Sequence, residues 1–174
     1  MDEAHPDLSG LADVVDVSRG VGMVARHAGR LEKWRHVMQP NLVKNIEQGL
    51  ALRATDVARA EVTRTQLWER AAEFFDTYDL VVTPTAAVEP FAVETMYPPN
   101  INGVPMATYI QWVLLTYAFT ILGVPAISIP CGFSRNGLPV GLQIAGRWRD
   151  ETTVLRAAAA FEQAAAWADK TPSD

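Results

Sequence analysis

One cysteine, three histidines and no cluster of lysine or arginine narrow the chemistry open to this 174-residue chain. Cys131 has no partner for an internal disulfide or a thiolate metal site. Next to Gly132 at the end of a predicted strand, it reads as a small buried core residue rather than a reactive thiol. His5, His27 and His36 come with no HExxH pattern and no carboxylate at ligand spacing, so no metal site is expected. A formal net charge of −5 argues against binding a phosphate backbone, so no nucleic-acid partner is expected for the chain by itself. No apolar run approaches the ~20 residues of a membrane helix. The candidate from Val113 to Ile121 is too short and carries Thr116, Tyr117 and Thr120. The acidic opening MDEAHPDLSG lacks the basic and apolar regions of a signal peptide, which leaves a cytoplasmic location as the expectation. Also missing are a GxGxxG, a phosphate-cradling loop, a GxSxG elbow around Ser128 and any convincing carboxylate pair; Asp76 and Asp79 read as turn residues.

What is present is an ordinary globular balance, 49% hydrophobic and 20% charged. Its length suits about one domain that buries roughly 70% of its unfolded surface. From Leu8 to about Met38 the apolar pattern is helical, and Gly10, Gly20, Gly22 and Gly29 predict one broken helix or two short ones. Pro40 opens a short helix that Gly49 ends. The clearest helix follows. Thr55 is placed to cap it, Asp56 complements its positive end, and Leu67, Ala71, Phe74, Phe75 and Tyr78 share one face. Leu80 to Thr83 is a short strand stopped by Pro84, and Thr85 to about Val104 is a proline-bearing loop without a clear period. A helix is predicted from about Met106 to Leu122. A last one is capped by Asp150 and carries Val154, Leu155, Ala158, Phe161, Ala165 and Ala168 as its apolar stripe.

Between those last two helices lies PAISIPCGFSRNGLPVGLQIAG, Pro125 to Gly146. Two apolar strand-like stretches, Ala126 to Pro130 and Val140 to Ala145, flank Asn136-Gly137. Both residues of that pair tolerate positive φ, as a tight hairpin turn requires. Ile110, Val113, Tyr117 and Thr120 are spaced to share a helix face, which reads either as core packing or as one wall of a substrate pocket. Motif chemistry alone stops at an α/β module.

The wording of the hairpin is more specific. GVPAISIPCGF followed by GLPVGLQIAG resembles the C-terminal signature of the amidase signature family, the serine amidohydrolases with a Ser-Ser-Lys triad. FFDTYDLVVTPT, IEQGLALRATDVARAE and RDETTVLRAAAAFEQA agree with it in order and spacing, and HPDLSGLADV resembles a region well inside full-length members. The resemblance implies a partial amidase signature fold of class α/β, helices around a mixed β-sheet with a C-terminal hairpin and helix. It implies that residues 1–174 are the C-terminal segment of a single amidase domain. The family hydrolyses or transfers carboxamides through an activated Ser, a proton-relaying second Ser and a Lys base, with no cofactor and no metal. Its Gly/Ser-rich nucleophile loop has no match here, and neither Lys33 nor Lys44 sits in the right context, so no catalytic residue is carried over.

On that resemblance the chain alone is expected to be inactive. Its partners would be a small-molecule amide and the missing N-terminal half of the domain, with homo-oligomerisation left open. The helix before Gly123 would line the acyl pocket, making Trp112, Val113, Tyr117 and Thr120 the candidate substrate-binding residues. Many members have Asn where Thr120 stands. Glutamine-using tRNA amidotransferase subunits are expected to have an Asp near Val113, and a valine cannot offer that charge-assisted hydrogen bond. An amidase acting on a neutral, fairly apolar amide is therefore favoured. The alternatives are a fragment of the family's representative within the glutamyl-/aspartyl-tRNA amidotransferase and a non-catalytic binding module of the same fold.

Overall fold

A computed structural model describes residues 2–165, and these form two compact units. The first comprises Leu8–Glu69. It contains α1 (Leu11–Trp34), α2 (Pro40–Leu50) and the first part of α3 (Ala54–Thr77). α1 runs unbroken through Gly20, Gly22 and Gly29, where an interruption was expected. At Gly20 the reason is packing. An added β-carbon would lie 3.0 Å from Leu52 Cδ1 and 3.2 Å from the Gly49 Cα, so α1 crosses α2 backbone to backbone. Gly49 is therefore a contact glycine inside α2 rather than its stop signal. Pro40 does occupy the first turn of α2, where its missing N–H has no helical partner to lose.

The start of α3 is also held differently from expectation. Thr55 lies exposed inside the helix, and Asp56 reaches back so that its Oδ2 accepts from the Arg53 backbone N–H at 3.0 Å. The Arg53 guanidinium bonded to the same carboxylate, then this backbone contact and the nearby Arg59 charge, hold the Asp56 pKa down at about 2. The predicted apolar face stands: Leu67, Ala71 and Phe75 are buried.

The second unit comprises the residues up to Asp7 and those from Arg70 onward. Its centre is a three-stranded sheet in the order β1-β5-β4: β1 is Leu80–Pro84, β4 Ala126–Phe133 and β5 Pro139–Gly146. The helices-around-sheet class holds, and every pairing among the described strands is antiparallel. A two-residue ribbon, β2 (Asn100–Ile101) with β3 (Val104–Pro105), sits within the expected loop. Asn102 and Gly103 both have positive φ, the requirement of a two-residue hairpin turn.

The β4–β5 hairpin forms where it was expected, with longer strands and a different turn. Ser134 and Gly137 close a β-turn, followed by Gly137 alone at positive φ (77°). The Ser134 hydroxyl accepts from the Asn136 and Leu138 amides, which favours this three-residue loop over a two-residue turn at Asn136-Gly137. β4 continues past Pro130 through a bulge at Cys131, made possible by Gly132 at φ 138°. Cys131 is thus half-buried rather than buried, its thiol donating to the Val140 carbonyl at 3.4 Å.

Register gives the sheet two faces. One carries Ile129 and Ile144, with Ile127 and Leu142 beside them, beneath Val154 and Ala158 of α5 (Glu151–Ala165). Asp150 caps α5 as expected, its Oδ1 accepting from the Thr153 N–H at 3.3 Å. Leu155 departs from the expected stripe and is 57% exposed; Ala168 lies outside the described residues. The opposite face is divided. At one end Val81 and Ala145 pack against Phe75 of α3 and Phe119 of α4 (Leu114–Leu122). At the other end the strands turn polar. No described helix is long and apolar enough to cross a membrane.

Candidate functional site

The polar end of the sheet is built by alternation. Thr83 on β1 and Ser128 on β4 both pair with Gln143 on the central strand, so the three side chains share one rung and one face. Gln143 is almost fully buried, and its Nε2 donates to Thr83 Oγ1 at 3.3 Å. One rung further, the Thr85 N–H donates to the Gly141 carbonyl at 2.9 Å, which brings Thr85 onto the same face. The Thr85 and Ser128 hydroxyl oxygens then stand 2.6 Å apart, a short hydrogen bond in which one hydroxyl donates to the other. Gly141 makes room for the pair. A β-carbon there would come within 2.7 Å of Thr85 Oγ1 and 3.1 Å of Ser128 Oγ.

This pair opens into a cavity of about 720 Å³. The loop Thr85–Phe91 forms one wall, Pro139–Gly141 of β5 another, and Trp112 a third. The Phe91 and Trp112 rings meet edge to face, with centroids 5.4 Å apart and planes at 77°. Glu89 is the one ionisable residue of the lining. Its Oε2 accepts from Asn136 Nδ2 at 2.9 Å, tying the loop to the hairpin tip. The lining is otherwise neutral. It holds a serine but no Lys, His or carboxylate against that serine; Ser128 faces a second hydroxyl, which is no base. Such a site can bind and orient a neutral molecule. Among the described residues no three His, Cys, Asp or Glu cluster to hold a metal ion.

The four residues expected at a pocket divide. Trp112 lines the cavity, whereas Val113, Tyr117 and Thr120 do not. The reason is where the helix starts. It was expected from about Met106, but it begins at Leu114, after a single 3₁₀ turn at Gln111–Val113. The Gln111 side-chain oxygen accepts from the Ala107 N–H at 2.5 Å and the Thr108 N–H at 3.4 Å, giving this backbone a local alternative to helix. Ile110 and Val113 therefore precede the helix that carries Tyr117 and Thr120. The Val113 carbonyl accepts from Thr116 Oγ1 at 2.8 Å, and exposed Thr120 turns its hydroxyl back to the Thr116 carbonyl at 3.4 Å. Thr85 and Ser128 were missed as a pair. The available signal was the alternation of small polar residues on strands separated in sequence.

Comparison with known proteins gives the chain its family. The family described as Amidase matches residues 24–155. An acylamidase of Rhodococcus erythropolis is 37% identical over 143 residues, covering 82% of this chain. The chain belongs to the amidase signature family. A component of the glutamyl-tRNA(Gln) amidotransferase of Brevibacillus brevis is 40% identical over 114 residues, or 66% of this chain. Among solved structures, a bacterial aryl acylamidase of the amidase signature family superposes with a TM-score of 0.80 at 29% identity over 91% of this chain. This amidase chain spans 30% of the Rhodococcus acylamidase, 22% of the Brevibacillus amidotransferase component and 34% of the aryl acylamidase chain.

Proposed function

We propose that this chain is the C-terminal segment of one amidase domain and contributes a substrate-binding wall. The enzyme would hydrolyse a neutral carboxamide to a carboxylate and ammonia or an amine. The reactive Ser, the second Ser and the Lys base reside on polypeptide outside these residues, and the chain alone does not turn over substrate. The observation that carries this reading is the cavity of an amidase-family fold in which an aromatic wall stands beside a serine hydroxyl bonded to a second hydroxyl rather than to a base. The segment's share of its relatives' length, about a third or less, supports it. So do the outer edges of β1 and β4, which face no further strand among the described residues and would pair with the complementing segment.

Val113 at the position expected for an ammonium-binding Asp favours a simple amidase over a component of a tRNA-dependent amidotransferase. Trp112 is the pocket residue we rank first; Val113, Tyr117 and Thr120 would reach substrate only through surfaces completed by the rest of the domain. The experiment expresses the chain alone and joined to the polypeptide encoded upstream of it in frame. Both are assayed for release of aniline from acetanilide without glutamine or partner subunits. Turnover by the joined protein alone is the expected result. Dependence on glutamine and other subunits would favour the transamidation role, and a completed chain with no activity would favour a binding module.

A further inference from the structure

We propose that the Thr85–Ser128 hydroxyl pair, kept accessible by the absence of a side chain at Gly141, is the polar specificity subsite of the cavity. It takes a neutral carboxamide and rejects the corresponding carboxylate. This rests on the amidase reading and adds to it the discrimination of substrate from acid product.

The argument is one of donors and acceptors. Each hydroxyl has one O–H and two acceptor lone pairs. Their mutual hydrogen bond at 2.6 Å consumes one O–H, leaving one free donor and spare lone pairs at one spot on the sheet. A carboxamide offers a carbonyl acceptor and N–H donors, the complement of that set. A carboxylate offers acceptors only. It would meet one donor, face the pair's remaining lone pairs, and find no cation in the lining to offset its desolvation. Glu89 at the same cavity adds like charge. The edge-to-face Phe91–Trp112 wall suits a planar apolar body attached to the amide. Gly141 is part of the device because any side chain there would push into both hydroxyls.

The test uses the full 174-residue chain with two probes, benzamide and benzoate, titrated at neutral pH and followed by ¹⁵N–¹H NMR at the Thr85 and Gly141 amides. Benzamide should shift both amides and bind at least tenfold more tightly than benzoate. Thr85→Val, which keeps shape and removes the hydroxyl, and Ser128→Ala should each weaken benzamide about three- to tenfold and flatten the benzamide/benzoate ratio. Thr85→Ser should restore both. Gly141→Ala should lose the selectivity. Equal binding of the two probes would overturn the proposal, as would unchanged benzamide affinity in both hydroxyl-deletion variants or shifts confined to residues away from the cavity.

The measurement requires no turnover. Selective binding without hydrolysis by the completed protein would sink the hydrolytic reading and leave the subsite standing. Hydrolysis with an unchanged KM in Thr85→Val and Ser128→Ala would do the reverse.

Discussion

Replacing Gly49 by alanine tests the closest approach in the helical unit. A β-carbon there would run into the Gly20 carbonyl group of α1 and reach within 2.7 Å of Val24 Cγ2. A side-chain tip can swing aside, but a backbone carbonyl in a helix cannot, so α1 and α2 must move apart. Forcing atoms into a packed contact costs about 1–3 kcal/mol, and the backbone obstacle puts this site near the upper end. Alanine's better helix propensity offsets about 0.8–1 kcal/mol. The net loss is therefore about 1–2 kcal/mol, a fall of roughly 2–8 °C in Tm for a chain of this size. Gly29 on α1 is the internal control, since nothing lies within 4 Å of where its β-carbon would sit. There propensity acts alone, and Gly29→Ala should raise Tm by about 2–4 °C. Circular dichroism melts of the two variants decide it. If Gly49→Ala stabilises as much as Gly29→Ala, the close crossing that explains an unbroken α1 is refuted.

Asp56 gives a pH dependence of defined sign. Its folded pKa, about 2, lies below the ordinary value of 3.8, so its contribution is present above about pH 4 and is lost as pH falls toward 2. Asp56→Asn should flatten that part of the stability–pH curve measured by chemical denaturation. Asp150→Ala removes the cap of the helix covering the Ile129–Ile144 face and should cost about 0.5–2 kcal/mol in the same assay. Gly146→Ala would place a β-carbon 2.7 Å from Val154 Cγ2 and 3.3 Å from Leu80 Cδ2. Overpacking of about 1–3 kcal/mol should follow, relieved in the double variant with Val154→Ala.

Elements with a local cause were legible in the sequence. The buried face of α3, the Asp150 cap, Pro40 in the first turn of α2 and the β4–β5 pairing all follow from spacing or from one residue's chemistry. The misreadings share a different cause, a partner distant in sequence or a side chain competing with the backbone. Gly20 looks like a breaker until Gly49 lies against it. Gln111 looks like an ordinary helix residue until its side chain takes the Ala107 and Thr108 amides and delays the helix to Leu114. The site shows this most plainly. Thr85 and Ser128 are unremarkable alone, and only the β1-β5-β4 order brings their hydroxyls together across a glycine. Trp112 came from the family resemblance rather than from any spacing in the sequence, and its ring lies on the cavity wall.

The central claim is that these residues hold the amide while the reactive serine lies elsewhere. Amide turnover by the purified 174-residue chain measures it directly. The account predicts none above background with acetanilide, and turnover once the upstream polypeptide is joined. Hydrolysis by the 174-residue chain alone, abolished by Ser128→Ala or by any other change to its own side chains, would contradict it.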